Sequence, residues 1–417
     1  MTDIKRAADN ATTSFSWNTL TPDEAREVCR QAQATAGLVR SEADGGFYLA
    51  ARYEDVVEVM RDPATFSSAP TVFRPMAPDV PSFPLLEYDP PRHGPWREIF
   101  HELINPRSIK GLRDQVLRDI DDHIDKVIES GRCDLVADLA EYVPAETICR
   151  AAGIDDMAVA GEIRLAALAA LLVGGRDPEA FALRLAEFGA LVMPLLEQRR
   201  TQPREDFLTR LVLGQPDGRP LDQPELVGAV FGLLAAGHHS TTSAMAVLFR
   251  EVLSRPEIRA QVQQDPKVLK AAVEESLRID PPFYGFYRRA TQRVDIAGTK
   301  LNEDDSVCLS WVGANHDPAH FDDPEQFRLD RRSNRHLAFG FGIHTCVGAP
   351  LARMELQLAL ERVLTRMPDV ELETAAPVKY FGGAGATYIE SLPARFTPGP
   401  RIAAAADAHD RLEEPRG

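Results

Sequence analysis

No unbroken run of about 18 apolar residues occurs in the 417-residue sequence, which excludes a membrane-spanning helix. Residues 1–18 are polar and mixed, without the apolar centre of a secretory leader. Cysteine is sparse: Cys29, Cys133, Cys149, Cys308 and Cys346 are scattered, and none forms a Cys-x-x-Cys pair. That excludes a zinc site and a disulfide framework and predicts a reducing, cytoplasmic setting. Positive charge is also short, with 47 Lys and Arg against 63 Asp and Glu, a net −16. Such a surface disfavours nucleic acid as a partner, while leaving room for a local basic patch facing an acidic redox protein. No internal repeat, second domain or fused flavin or ferredoxin module is expected. What remains is ordinary globular composition, 44% hydrophobic and 26% charged, in a chain long enough to enclose a cofactor.

The chemistry concentrates in Phe339-Gly-Phe-Gly-Ile-His-Thr-Cys346-Val-Gly348. A helical apolar pattern follows at once (Ala349, Leu351, Ala352, Met354, Leu356, Leu358, Ala359), so Cys346 lies just ahead of a helix N-terminus. There the helix dipole and free N–H groups favour a thiolate. Gly342 and Gly348 let the backbone approach a flat partner and turn tightly, and Phe339 covers the sulfur. A thiolate in a dry, N–H-rich loop suits the axial position of haem iron, where it favours O–O cleavage. The plain alternative is a structural cysteine on a glycine-rich turn.

Phe-x-x-Gly-x-x-x-Cys-x-Gly is the haem-loop signature of the cytochrome P450 family, and this segment resembles it at every fixed position. The resemblance places Phe339, Gly340, His344, Cys346 and Gly348 beside the cofactor. It extends over about residues 20–397, with the motifs in a fixed order. Asp89-Pro-Pro-Arg-His93-Gly-Pro-Trp96-Arg97 resembles the family's Asp-Pro-Pro-x-His-x-x-x-Arg, and the i, i+4 spacing puts His93 and Arg97 on one helix face, suited to a haem propionate. Arg288 and His336 are further propionate donors by the same resemblance. Glu275 and Arg278 match Glu-x-x-Arg, a structural pair whose third partner is Arg328, Arg331 or Arg332.

Residues 222–254 form the longest apolar helical stretch, apolar nearly all round and so expected to be buried. At its centre lies Ala235-Ala236-Gly237-His238-His239-Ser240-Thr241-Thr242. The family has Ala-Gly-x-(Asp/Glu)-Thr-Thr here, where Ala236 and Gly237 would make room for dioxygen and the acid and threonine relay protons. This chain departs from that pattern, with His239 at the acid position and Ser240 at the threonine position. Serine keeps the hydroxyl, and histidine carries protons near neutral pH. A slip of one residue would make Thr241 the relay hydroxyl. The missing acid leaves a peroxide-driven reaction as an alternative.

Elsewhere the spacing predicts a helix over 22–36, a hairpin around Gly45-Gly46, a helix over 53–61 and a proline-rich loop over 62–90. Helical pattern then runs from 105 to 213. The resemblance makes the 62–90 loop, with Phe73 and Phe83, part of a pocket roof, and the helices near 165–173 and 183–196 a mobile lid. Leu233, Phe283, Tyr284 and Phe286 line the pocket, though the aromatics serve a core equally well, and residues 380–388 form a last turn dipping into it. Residues 1–18 are expected as a loose arm, 19–399 as one domain and 400–417 as a disordered tail. The implied fold is mainly α (α+β), a large helical part around a long central helix plus a smaller β-rich part. The implied function is a monooxygenase using haem b and O2, which hydroxylates or O-dealkylates a small apolar or aromatic molecule. Electrons would come from a separate ferredoxin, with its reductase and NAD(P)H, docking near Arg97, Arg107, Lys110, Arg113 and Arg353. The protein is expected to be a monomer. A biosynthetic tailoring oxidase and, in a different class, a haem-thiolate sensor are the alternatives.

Overall fold

Capping residues set the helix boundaries. Thr21 forms a capping box with Glu24 at the start of α1 (Pro22–Gln33). Short helices α2 (Tyr53–Arg61), α3 (Pro84–Glu87) and α4 (His93–His101) lead into α5 (Pro106–Val127). After them come α6 (Val143–Ala152), α7 (Met157–Val173), α8 (Pro178–Thr201) and α9 (Phe207–Leu213). Asp222 and Glu225 form a second capping box, which starts α10 (Gln223–Leu253). The rest are α11 (Pro256–Gln264), α12 (Pro266–Ile279), α13 (Trp311–Asn315) and α14 (Ala349–Arg366). The computed structural model describes residues 12–16, 19–70, 72, 82–101, 103, 106–173, 177–373 and 386–402. No helix of these residues is long and apolar enough to cross a membrane.

The β-rich part is a six-stranded sheet. In spatial order it holds β1 (Thr12–Thr13), β2 (Val39–Ser41), β3 (Phe47–Ala50), β9 (Ser306–Ser310), β6 (Gly285–Ala290) and β4 (Phe66–Ser67). The expected hairpin is β2 and β3, antiparallel with Val39 opposite Leu49. A three-stranded sheet joins β5 (Arg132–Asp134), β11 (Pro393–Arg395) and β10 (Glu371–Leu372), and β7 (Val294–Ile296) pairs with β8 (Thr299–Leu301). Residues 12–16 depart from the loose arm expected of them. Thr12–Thr13 pairs with β2, and Phe15 is buried edge-on against Phe47. The apolar surface gained there outweighs the polar character of the neighbouring sequence.

α10 has 31 residues and spans ~46 Å. Its first half packs into a cluster with α6, α7, α8 and α9, and its second half into a cluster with α5, α12 and α14. Between the halves lies Ala236, an exposed residue at the centre of a mostly buried helix. Glu275 and Arg278 on α12 are fully buried and doubly bonded to each other at 2.8 and 2.9 Å. Of the three candidate arginines, Arg331 donates its side chain to Glu275, while Arg328 gives only its backbone N–H and Arg332 makes no such bond. This buried network is fully bonded, as desolvated charges require.

Candidate active site

The cysteine loop is held by its own backbone. Cys346 N–H donates to the Phe339 carbonyl at 2.8 Å, and Gly340 N–H to that of Leu337 at 2.8 Å. Gly340 (φ 69°) and Gly342 (φ 71°) are left-handed, and a Cβ on Gly342 would lie 2.8 Å from the Met60 carbonyl oxygen. Gly348 differs from expectation: it caps α14 with ordinary right-handed angles, and the tight turn falls on Gly340 instead. The aromatic face of Phe339 carries the Arg353 guanidinium at 4.4 Å.

Cys346 is exposed, yet burial pushes its thiol up, so its surface faces an internal space rather than bulk water. The N–H groups of Gly348 and Ala349 and the Arg97 and Arg353 guanidiniums pull the other way. The helix start pulls toward the thiolate, but burial is the larger effect, so the net shift runs against the thiolate expected of this position.

Beside the loop lies a set of nitrogen donors. His93 is buried with Nε2 unpartnered, and its ring meets that of His344 at 4.6 Å. Arg97 donates to the Thr345 carbonyl at 2.8 Å. Arg288 is buried on β6 and donates to the Tyr287 carbonyl, and among the described residues no carboxylate pairs with it. His344 bonds the Leu85 carbonyl and the Ser68 hydroxyl, both at 3.0 Å. Burial lowers the pKa of all four: Arg288 to about 10, His344 to about 4, with His93 and Arg97 also below their ordinary values. Asp89 acts on His93, Arg288 and His344 only through its field, without an ion pair, and His344 has both ring nitrogens engaged within the protein, so His93 Nε2, Arg97 and Arg288 are the donors suited to an anion. His336 does not join them. Its Nε2 lies 3.1 Å from Glu274 and its Nδ1 accepts from Ala338 N–H, so both nitrogens are engaged within the protein. Although burial opposes it, His336 and Arg353 hold the Glu274 carboxyl down at about 2.

On α10, Ser240 stands one turn after Ala236 and donates to its carbonyl at 2.6 Å. Thr241 is buried at 5% exposure, so the hydroxyl on the Ala236 face belongs to Ser240. Gly237 is corrected. A Cβ there would lie 2.6 Å from Ile148, so this glycine exists for the close approach of α6. His238 bonds the Glu141 carbonyl at 3.0 Å. Burial pushes the His239 ring down to about 4, contrary to the neutral-pH carrier expected.

The pocket expectations divide. Phe283 and Phe286 meet at 5.1 Å and are half-buried, and Phe286 shares a strand face with Arg288 two residues on. Leu233 is buried on α10, and Phe83 packs on Gly232 and Phe231. Tyr284 is a core residue, buried in the cluster under the sheet with its hydroxyl on the Leu20 carbonyl. Phe73 and residues 380–385 lie outside the described residues. Sequence reading missed Ser68, Leu85 and Glu141, each brought to the site from a separate element with no local signal, while Tyr388 closes the turn expected to dip into the pocket.

The family model described as "Cytochrome P450" matches residues 190–375. The steroid C26-monooxygenase of Mycobacterium tuberculosis is 31% identical over 390 residues, covering 91% of this chain and 95% of that protein. The chain belongs to the cytochrome P450 family. The mycinamicin IV hydroxylase/epoxidase of Micromonospora griseorubida is 33% identical, covering 78% of this P450 and 83% of the relative. Among solved structures, the bacillaene synthase P450 PksS of Bacillus subtilis superposes with a TM-score of 0.84 at 26% identity, over 92% of this chain and 100% of that one. This P450 is therefore an oxygen-incorporating oxidoreductase that uses haem b with O2 as co-substrate and draws electrons from a redox partner. Its residues fit that group: among the described residues His93 Nε2 has no hydrogen-bond partner and Arg288 no ion pair, which suits carboxylates, and the accessible Cys346 thiol suits a metal.

Proposed function

We propose that Cys346 would ligate the haem iron through its sulfur and that His93, Arg97 and Arg288 would hold the propionates, with His344 packed against the His93 ring. On this reading the protein inserts one oxygen atom into an apolar or aromatic small molecule by hydroxylation or O-dealkylation. A separate ferredoxin supplies electrons singly, and the protein works as a monomer. The observation that carries the reading is the accessible thiol at the α14 N-terminus beside the nitrogen donors of His93, Arg97 and Arg288. When bound, the haem supplies oxygen activation. The chain's own residues do the rest. Gly348 and Ala349 N–H groups steady the sulfur's charge, Phe339 shields it, and Ala236 leaves space on the opposite side. Leu233, Phe83, Phe283 and Phe286 present apolar surface to a substrate.

Carbon monoxide added to the reduced protein should give the strongly red-shifted Soret band of thiolate ligation, and Cys346→Ser should abolish it; a band unchanged in the variant would overturn the assignment. Titration with aromatic acids, terpenes, steroids and macrolides, read by the ferric spin state, tests the substrate class. No shift from any apolar compound would count against it. A second reading, peroxide-driven oxygenation, is favoured by the neutral His239 at the acid position. Comparing turnover with peroxide against turnover with ferredoxin and NADH separates the two.

A further inference from the structure

Phe339, expected to shield the sulfur, is itself bracketed by two nitrogen-bearing side chains. The Arg353 guanidinium of α14 lies over its ring at 4.4 Å, and the His336 ring stands 6.0 Å away at 43°. One carboxylate ties these two together. Glu274 of α12 accepts from Arg353 Nε at 2.7 Å and from its Nη2 at 2.8 Å, and Glu274 Oε2 lies 3.1 Å from His336 Nε2. The neighbouring Glu275 fixes this stretch of α12, being fully buried and bonded to Arg278, Arg331 and Asn334. The cysteine loop joins the bracket through its backbone, because the Phe339 carbonyl takes the Cys346 N–H at 2.8 Å. The Glu-x-x-Arg spacing accounts for Glu275 and leaves Glu274 without a role.

The charges in the bracket cancel. His336 Nδ1 accepts from the Ala338 N–H at 3.2 Å, so the ring proton sits on Nε2 and is donated to Glu274. The imidazole is therefore neutral. Burial opposes ionisation of Glu274, but His336 and Arg353 hold its carboxyl at about 2, so it is a carboxylate at neutral pH. The two-bonded Glu274–Arg353 pair then sums to zero. Its members keep 28% and 36% side-chain exposure, so solvent screens them only in part. They act from different places. Arg353 touches the loop at Phe339 and pulls the Cys346 thiol toward the thiolate, while Glu274 holds Arg353 from the side of α12.

We propose that Glu274 and Arg353 form a charge-compensated pair that sets the reduction potential of the haem iron, Arg353 favouring the reduced form and Glu274 holding that pull in check. This rests on the reading of Cys346 as the sulfur that would ligate the iron. Reduction adds one electron, supplied by the redox partner, and with it one negative charge beside the loop. The pair itself gives up neither electron nor proton. Without the charge of Glu274, a lone cation remains at Phe339 and the reduced form is favoured. Without that of Arg353, a lone anion remains and the reduced form is disfavoured. Both are positioning residues, acting through the Phe339 loop and through the field they leave there.

The test measures the midpoint potential of the haem-loaded protein by spectroelectrochemistry in wild type, Glu274→Gln, Arg353→Met and the double variant. A unit charge about 10 Å away through an effective dielectric of ~20 moves a one-electron equilibrium on the order of tenfold, about 59 mV. At a fixed potential, E274Q should raise the ferrous-to-ferric ratio roughly three- to tenfold, and R353M should lower it by a similar factor. The double variant should return close to wild type. Arg353→Lys keeps the charge and should also stay close to wild type. A bracket that only braced the loop would instead move E274Q and R353M the same way. Potentials unchanged in both folded single variants, or shifted in one direction, would overturn the proposal. Should one single variant fail to fold, the other must still differ from the double variant, and equal potentials would overturn it. Should both fail, a shifted potential in R353K would do so. A wild type lacking the red-shifted carbon monoxide band would instead sink the Cys346 assignment, which separates the two failures.

Discussion

Arg288 is a buried cation with no ion pair among the described residues, only the weaker field of Asp89, and a charge so placed destabilises the fold until an anion arrives. Arg288→Met should therefore act in opposite directions on two measurements. Haem retention against apomyoglobin should weaken by roughly 10- to 100-fold, the scale of about 1.5–3 kcal/mol for a charged hydrogen bond. The haem-free protein should meanwhile resist urea better than wild type. Glu355 gives a second residue-scale expectation. Burial holds its carboxyl well above the ordinary 4.5. A raised folded pKa means stability is fully present below that unfolded value and is lost as pH rises through the folded one. Glu355→Gln should match wild type in urea titrations at about pH 4 and exceed it at about pH 8. The sequence identified Arg288 and Cys346 through their motif neighbours. It misjudged His336, because nothing local reveals that Glu274, far away in sequence, takes its nitrogen.

Among elements, α10 decides most. Its extent was legible, since the expected 222–254 stretch matches Gln223–Leu253, and the structure adds the capping box of Asp222 and Glu225 at its start. Its centre was legible only in part. Gly237 reads in sequence as space for dioxygen, yet the space it opens is filled by Ile148 of α6. Gly237→Ala should accordingly cost about 1–3 kcal/mol in denaturant unfolding, the usual price of overpacking. Ile148→Ala in the same chain should recover part of that loss, a coupling that distant sites do not show. The helical periodicity of residues 105–213 was right in kind but hid β5, whose three residues are too short to interrupt a pattern.

For the whole molecule, two apolar clusters share one helix, and Ala236 at its centre and Cys346 before α14 stay accessible. A ligand bound there stabilises the native state by mass action, about 4 kcal/mol when present at a thousand times its dissociation constant. Haem extraction should lower the melting temperature by roughly 5 °C or more, with recovery on adding haem back. Equal melting of the two forms would contradict a cavity built around a cofactor.

The sequence by itself determined the loop around Cys346, the extent of α10 and the Glu275–Arg278 pair. These depend on spacings of a few residues, which helix and turn geometry convert directly into shared faces. Only the tertiary structure decided that Arg331 completes the Glu275 network, that Tyr284 belongs to the core, and that Glu141 and Tyr388 stand against the middle of α10. Those contacts join residues tens to hundreds of positions apart. No periodicity encodes them, because they follow from how whole elements pack and which buried polar atoms then need partners.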